Sequence, residues 1–418
     1  MGRANALRTL VAIAVACAVA VLSCGCKPKT ASPPPLPKLQ PPPDPVDQAK
    51  VGALVDGHAA FGWAMLEEIT GQAPEENVFI SPTSIALALS MTLNGASGTT
   101  RDAMLAALQF EGLTADEINA AGAQLMVSLA EAEPAIALSI ANSLWARDGI
   151  SFVPEFIDIN RTYYGARVST LDFGAREAAK TINEWVAART RDKIDRIVDD
   201  PIDPTAILFL INAIYFKGEW DEPFEEHDTR DRSFTLIDGT EVTVPLMSRW
   251  GEYPYLETEA FQVVRLAYKD HRVGMYVFLP GENSNLAELA AELTPESWDA
   301  WMEQFSDREG HVKLPRFTLE YEKSLKETLS ALGMEQAFSG DAQFAGMTEM
   351  PAFIQDVKHK TFVEVNEEGT EAAAATSVEM MGEPEPPFEM VVNRPFFCAI
   401  VDQDTGSVLF AGYVVDPT

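Results

Sequence analysis

Gly369-Thr370-Glu371-Ala372-Ala373-Ala374-Ala375-Thr376-Ser377-Val378-Glu379-Met380-Met381-Gly382-Glu383-Pro384 follows the strand-like run Phe362-Val363-Glu364-Val365. Taken in twos, one set reads Thr370, Ala372, Ala374, Thr376, Val378, Met380 and Gly382. The other reads Glu371, Ala373, Ala375, Ser377, Glu379, Met381 and Glu383. The first set carries no charge and the second carries every charge, which is the pattern of a strand with one buried face. Four successive alanines also favour a helix, so a short surface helix followed by a Pro-rich linker is the competing reading. Gly369 permits a bend, and small residues follow it. The segment therefore reads as able to be both an exposed loop and an inserted strand. A bulky or charged residue in the first set would obstruct insertion, because burying an unpaired charge costs roughly several kcal/mol.

Around this segment, helices and strands mix without regular βα alternation, so the fold class expected is α+β. Gln48 to Thr70 reads as a helix and Val78 to Ile80 as a short strand. Ser81 is a suitable N-cap with Pro82 at the first helical position, and Asn94-Gly95 ends that helix. Thr114 to Glu117 matches a capping box. Ile136 to Ala146 and Arg167 to Phe173 read as strands, and Ala175 to Ile194 as a long amphipathic helix. Ala206 to Phe216 is almost wholly apolar, as a strand buried on both faces would be. Asp238-Gly239 marks a hairpin turn. Val273 to Leu279, Val312 to Phe317 and Phe362 to Val365 are further strands, and the last 25 residues read as two strands joined at Asp404-Thr405-Gly406.

The 418 residues divide unevenly. Arg3 and Arg8 precede an apolar run from Leu10 to Leu22, too short to span a bilayer comfortably. The run ends in Val21-Leu22-Ser23-Cys24-Gly25-Cys26, which resembles a bacterial lipoprotein cleavage box. Cys24 fits the lipid-bearing position better than Cys26, because Val21 and Ser23 supply the −3 and −1 residues. An ordinary secretory signal cut nearby is the alternative. Residues 1–23 are thus expected to be a signal peptide of lipoprotein type. Residues 24–47, with Pro33-Pro34-Pro35 and Pro41-Pro42-Pro43, form a Pro-rich spacer that cannot build a core. Residues 48–418 are then the folded domain, exported and held at a bacterial membrane (outer membrane, cell surface or periplasm) by a lipid anchor alone.

Formal net charge is −32, and loss of Arg3 and Arg8 with the signal makes it −34. Nucleic-acid binding needs a basic footprint and is excluded on this ground. Of the four cysteines only Cys398 lies in the folded part, in an apolar run, and reads as a buried inert thiol without a disulfide partner. There is no G-x-S-x-G elbow, H-E-x-x-H, phosphate loop or C-x-x-C pair, and the five histidines are scattered. No catalytic residue, cofactor or metal site is marked out, so an enzyme is not expected. On its own, His359 in Val357-Lys358-His359-Lys360 reads as a solvated basic strand end.

Four motifs in order resemble the serpin family from about residue 50 onward. They are Asn77 to Ile85; Asn212-Ala213-Ile214-Tyr215-Phe216-Lys217-Gly218-Glu219-Trp220 with Phe224; Glu367-Glu368-Gly369-Thr370 through Thr376; and Asn393-Arg394-Pro395-Phe396 through Gly412. The resemblance implies three β-sheets, about nine helices and an exposed reactive loop, here 369–383. It implies an irreversible suicide-substrate inhibitor, acting as a monomer. A serine protease cuts the loop, and the loop enters the central sheet before the acyl-enzyme is hydrolysed. A cysteine protease as target, or a non-inhibitory binding serpin, is the alternative. By resemblance Glu367, Gly369, Thr370, Ala372, Ala374 and Thr376 form the hinge. Ser81, Ser84, Asn212 and His359 form a polar cluster where the central sheet opens, with Trp220 near the top of that opening. Counting 14 residues on from Gly369 places the scissile bond at Glu383-Pro384. Proline after a cut bond hinders most serine proteases, which leaves Met381-Gly382 as the alternative.

Overall fold

The structure is a computed structural model that describes residues 41–42, 44–131, 136–269, 271–368 and 386–418. The reactive-loop residues Gly369 to Pro384 and the leader with Cys24 and Cys26 lie outside these. In chain order the strands are β1 (Val78–Ile80), β2 (Ile136–Arg147), β3 (Arg167–Leu171), β4 (Leu208–Gly218), β5 (Arg230–Thr235), β6 (Glu241–Glu257) and β7 (Phe261–Ala267). They continue as β8 (Val273–Pro280), β9 (Ser306–Pro315), β10 (Phe317–Ser324), β11 (Asp356–Val365), β12 (Phe388–Val391), β13 (Phe396–Asp402) and β14 (Val408–Val414). Nine α-helices accompany them among the described residues.

Five strands make one sheet in the order β10-β11-β4-β2-β3. The other nine form a second network, β1-β14-β13-β8-β7-β6-β9-β12, with β5 also on β6. The three sheets expected thus appear as two hydrogen-bonded networks, because β6 serves two of them. Its first part pairs with β5 and β9, and its last three residues pair with β7.

The five-stranded sheet positions the site. β11 runs antiparallel to β10 but parallel to β4, from Asp356 opposite Phe209 to Val363 opposite Phe216. β4 is buried on both faces over nine residues, as its apolar run requires. One face meets the helix Pro82–Leu93, every residue of which is buried between β4 and β14. A helix buried all round in this way is a core element, and its Ser90 and Thr92 hydroxyls are satisfied by carbonyls of its own backbone. The other face carries a separate apolar cluster that includes Ile182 and Val186 of the helix Ala178–Arg189.

Local signals set most boundaries. Ser81 accepts from the Ser84 amide ahead of Pro82, and Thr114 and Glu117 form the reciprocal capping box. Gly406, at φ +73°, closes the turn between β13 and β14. Most spans match to within two residues, and three differ by more. The helix expected to reach Ile194 stops at Arg189, because Arg191 and Asp192 take left-handed φ of +54° and +59°. The strand expected over Val312 to Phe317 is divided between β9 and β10, with Arg316 between Pro315 and Phe317. β11 begins at Asp356 rather than Phe362, since its polar first half is covered by the strands on either side.

Candidate functional site

β11 and β4 bring His359 beside Asn212 in register, and β2 sets Asn142 beside Asn212 on the other side. The His359 imidazole is fully buried. Its Nδ1 lies 2.5 Å from Asn212 Oδ1, and its Nε2 accepts from the Ser81 backbone N–H at 3.2 Å. An accepting Nε2 leaves the proton on Nδ1, which donates to Asn212. A second proton would point Nε2–H at another donor. Burial lowers the pKa of His359 from 6.5 to about 3, in the same sense as this donor clash. Asn212 Nδ2 donates to Ser84 Oγ at 2.6 Å, to Ser84 O at 3.0 Å and to Asn142 Oδ1 at 2.6 Å. The Ser81, Ser84, Asn212 and His359 expected by resemblance therefore meet in one buried network, which corrects the solvated reading of His359. The network ties three strands of the sheet, β2, β4 and β11, to the start of the helix beneath it.

Trp220 does not join this network. It lies eight residues beyond Asn212, past the end of β4, or about 26 Å at the strand rise. There its ring stacks on Tyr268 at 4.4 Å, and its indole N–H donates to Asn366 O at 2.8 Å. The next residue, Glu367, is the last expected hinge position within the described residues before Gly369. Its carboxylate is 7% exposed, accepts from Thr229 Oγ1 at 2.7 Å and faces Arg316 Nη1 at 3.4 Å. Chain exit from β11 is thus held on three sides, by Trp220, Thr229 and Arg316.

The chain returns at β12, which adds parallel to β9. Phe388 occupies the space above Gly310, where a Cβ would lie 2.2 Å from the ring. Its ring stacks on Tyr255 with centroids 3.8 Å apart and planes at 10°. Both ends of the segment 369–385 are therefore anchored in packed structure. Asn142, Thr229, Arg316 and Phe388 were not singled out from the sequence. Only Asn142, a polar residue inside an apolar strand run, carried a signal there. Cys398 is free and buried, its thiol pushed up to about 12 by burial, as an inert core residue should be. Among the described residues no group of His, Cys, Asp and Glu could hold a metal ion, and no helix is long and apolar enough to cross a membrane.

The serpin (serine protease inhibitor) family model matches residues 56–417. Neuroserpin of Mus musculus is 34% identical over 382 residues, covering 88% of this chain and 93% of that protein. The leukocyte elastase inhibitor of Sus scrofa is 34% identical, covering 87% and 99%. A serpin-like protein of Thermococcus kodakarensis is 35% identical, covering 87% and 86%. Human thyroxine-binding globulin superposes with a TM-score of 0.79 at 28% identity, covering 88% of this chain and all of that one. The chain belongs to the serpin family and has the serpin fold. The family is one of serine protease inhibitors, two of the relatives are named for inhibiting an elastase and for binding thyroxine, and the chain is not an enzyme.

Proposed function

We infer that the protein is a suicide-substrate inhibitor of serine endopeptidases. One observation carries this reading: the parallel pair β4 and β11 is the seam into which the segment after β11 has the right direction to fold. A chain that leaves β11 and turns back at Gly369 runs antiparallel to β11. Because β4 is parallel to β11, the same chain is antiparallel to β4 as well. The seam has eight paired positions, and the fourteen residues from Thr370 to Glu383 suffice to fill it. Their uncharged set suits the side that meets the buried helix. In this reading a protease attacks the loop, becomes acylated, and is carried off by the inserting strand before water releases it. The serpin supplies no catalytic group. The leader and Cys24 support export and a lipid tether, so that the partner protease is one met outside the cytoplasm.

The test is incubation of the protein with a panel of serine endopeptidases and a cysteine protease. An SDS-stable complex with a serine enzyme, with the new terminus located by mass spectrometry at Glu383-Pro384 or Met381-Gly382, supports the reading. Recovery of cleaved protein alone across the panel sinks it.

A second reading is a ligand carrier. A groove of about 1100 Å³ lies between the helix Gln48–Gln72, the segment 284–295 and the residues Pro280 and Arg394. Its lining includes Trp63, Leu286 and Tyr413. A related protein of the same fold is named for binding thyroxine. The two readings separate on complex formation.

A further inference from the structure

We propose that Tyr164 and Asn160 are positioning residues that latch the far end of the buried helix Pro82–Leu93 and so set how readily the seam between β4 and β11 opens. This rests on the strand-insertion reading above.

The helix Pro82–Leu93 is tied at both ends by polar groups. At its start, Ser81 and Ser84 meet His359 and Asn212 on the two sides of the seam. At its end, the Asn94 and Asn119 amides exchange hydrogen bonds, 2.9 Å in each direction. Asn119 lies on the helix Ala115–Ala130. Its Oδ1 also accepts from Tyr164 Oη at 2.8 Å, and Asn94 Nδ2 lies 3.5 Å from Asn160 Oδ1. Tyr164 and Asn160 belong to a third helix, Pro154–Tyr164. Asn119, Asn160 and Tyr164 are all buried. Thirteen residues separate Ser81 from Asn94, about 20 Å at the helical rise. Hydrogen bonds are directional, so this cluster holds one arrangement of the three helices. Apolar contacts in its place would tolerate sliding.

The path from the cluster to the seam is short. Only Gly165 and Ala166 separate Tyr164 from β3, and the Ala166 amide donates to Asn160 O at 3.2 Å. β3 pairs with β2 from Arg167 opposite Ser143, and Asn142, one residue earlier on β2, stands opposite Asn212. The helix Pro154–Tyr164 therefore follows β3, β2 and β4. On the other side of the seam, Thr361 Oγ1 on β11 donates to Phe79 O on β1 at 2.7 Å, which fastens β11 to the nine-stranded network. A strand entering the seam separates β4 from β11 by about 4.8 Å. The half not so fastened carries Tyr164 and Asn160 with it, while Asn94 and Asn119 lie outside that half. A shift of a few Å breaks a bond of 2.8 Å. Opening the seam thus breaks the Tyr164–Asn119 bond at the far end of the helix, as well as those at Ser84 and His359.

The test uses the intact full chain and a synthetic peptide with the sequence Thr370 to Glu383 as the entering strand, with no protease present. Uptake is followed on native gels and by the rise in melting temperature. Tyr164→Phe keeps the ring and leaves Asn119 bonded to Asn94, so unfolding without peptide should stay close to wild type. Its uptake should be about tenfold faster, the factor for one buried hydrogen bond lost from the closed state alone. Adding Asn160→Val should speed uptake further. Thr92→Val removes a hydroxyl bonded within its own helix and should leave uptake unchanged. A wild-type rate in both latch variants, or an equal gain in Thr92→Val, overturns the latch while leaving strand insertion intact. If the wild type itself takes up no peptide, insertion and latch fall together.

Discussion

His359 and Asn212 face each other across the one seam between β4 and β11, with Nδ1 2.5 Å from Oδ1. The pair lies at mid-seam and is fully buried. It makes the join between the two strands sensitive to proton concentration, as follows from the depressed pKa.

Stability should fall in mild acid. The folded value for His359 is about 3 against 6.5 when free. Between these values the unfolded chain binds a proton that the folded chain does not. The contribution is therefore intact above pH 6.5 and is lost as pH falls, at about 1.4 kcal/mol per pH unit. His58, buried against Phe110 and lowered to about 3, adds a similar slope. Urea unfolding at pH 8 and pH 5 should differ by about 2 kcal/mol for each histidine. His359→Gln should be less stable at pH 8 yet lose less on acidification; equal losses in both proteins would count against this assignment.

Ala372→Glu should turn the inhibitor into a substrate. The uncharged set of the loop would then carry a carboxylate into a buried seam, at a cost of roughly several kcal/mol. Gel analysis should show cleaved protein in place of covalent complex, and unchanged trapping would speak against strand insertion.

Cutting the loop should raise the melting temperature. Filling the seam exchanges one ladder of eight positions for two. Eight additional backbone pairs at about 1 kcal/mol each give an increase of about 10 °C for a domain of about 370 residues. Calorimetry before and after limited proteolysis measures this directly. An unchanged or lower value would mean that the cut loop stays outside.

Glu367→Ala should loosen the exit from β11. It leaves Thr229 without its acceptor and Arg316 without its carboxylate. Arg316 is half exposed, so most of the loss comes from the buried bond, about 1–3 kcal/mol. Hydrogen exchange should rise first at Val363 to Glu367. Exchange unchanged there would show that Trp220 and Asn366 alone hold the exit.

Cys24→Ala should abolish labelling by radioactive palmitate in a bacterial host that processes lipoproteins and release the protein from membranes. Labelling that persists in this variant and stops with Cys26→Ala would move the anchor by two residues.

Much of this was legible in the sequence, and what was missed has physical causes. The short strand Val78–Ile80, the Ser81 cap, the capping box at Thr114 and the buried β4 each announce themselves locally. Lys358-His359-Lys360 does not, because its burial depends on strands distant in sequence. Lys360 pairs with Glu320 and Glu322 on β10, and His359 with Asn212 on β4. Arg316 and Thr229 gain meaning only once the fold brings Glu367 to them. Resemblance named the members of the polar cluster, and geometry separated Trp220 from it.

Phe388, wedged over Gly310 and stacked on Tyr255, bears on timing. While the peptide between Glu367 and Phe388 is intact, it is a tether fixed at both ends. Strand entry at one end would have to draw the other end out of its slot. If the loop enters the seam as proposed, hydrolysis removes that restraint in one step and the far half stays behind on β9. The aromatic wedge then works as an escapement: it keeps the spring wound until a protease makes the cut that releases it.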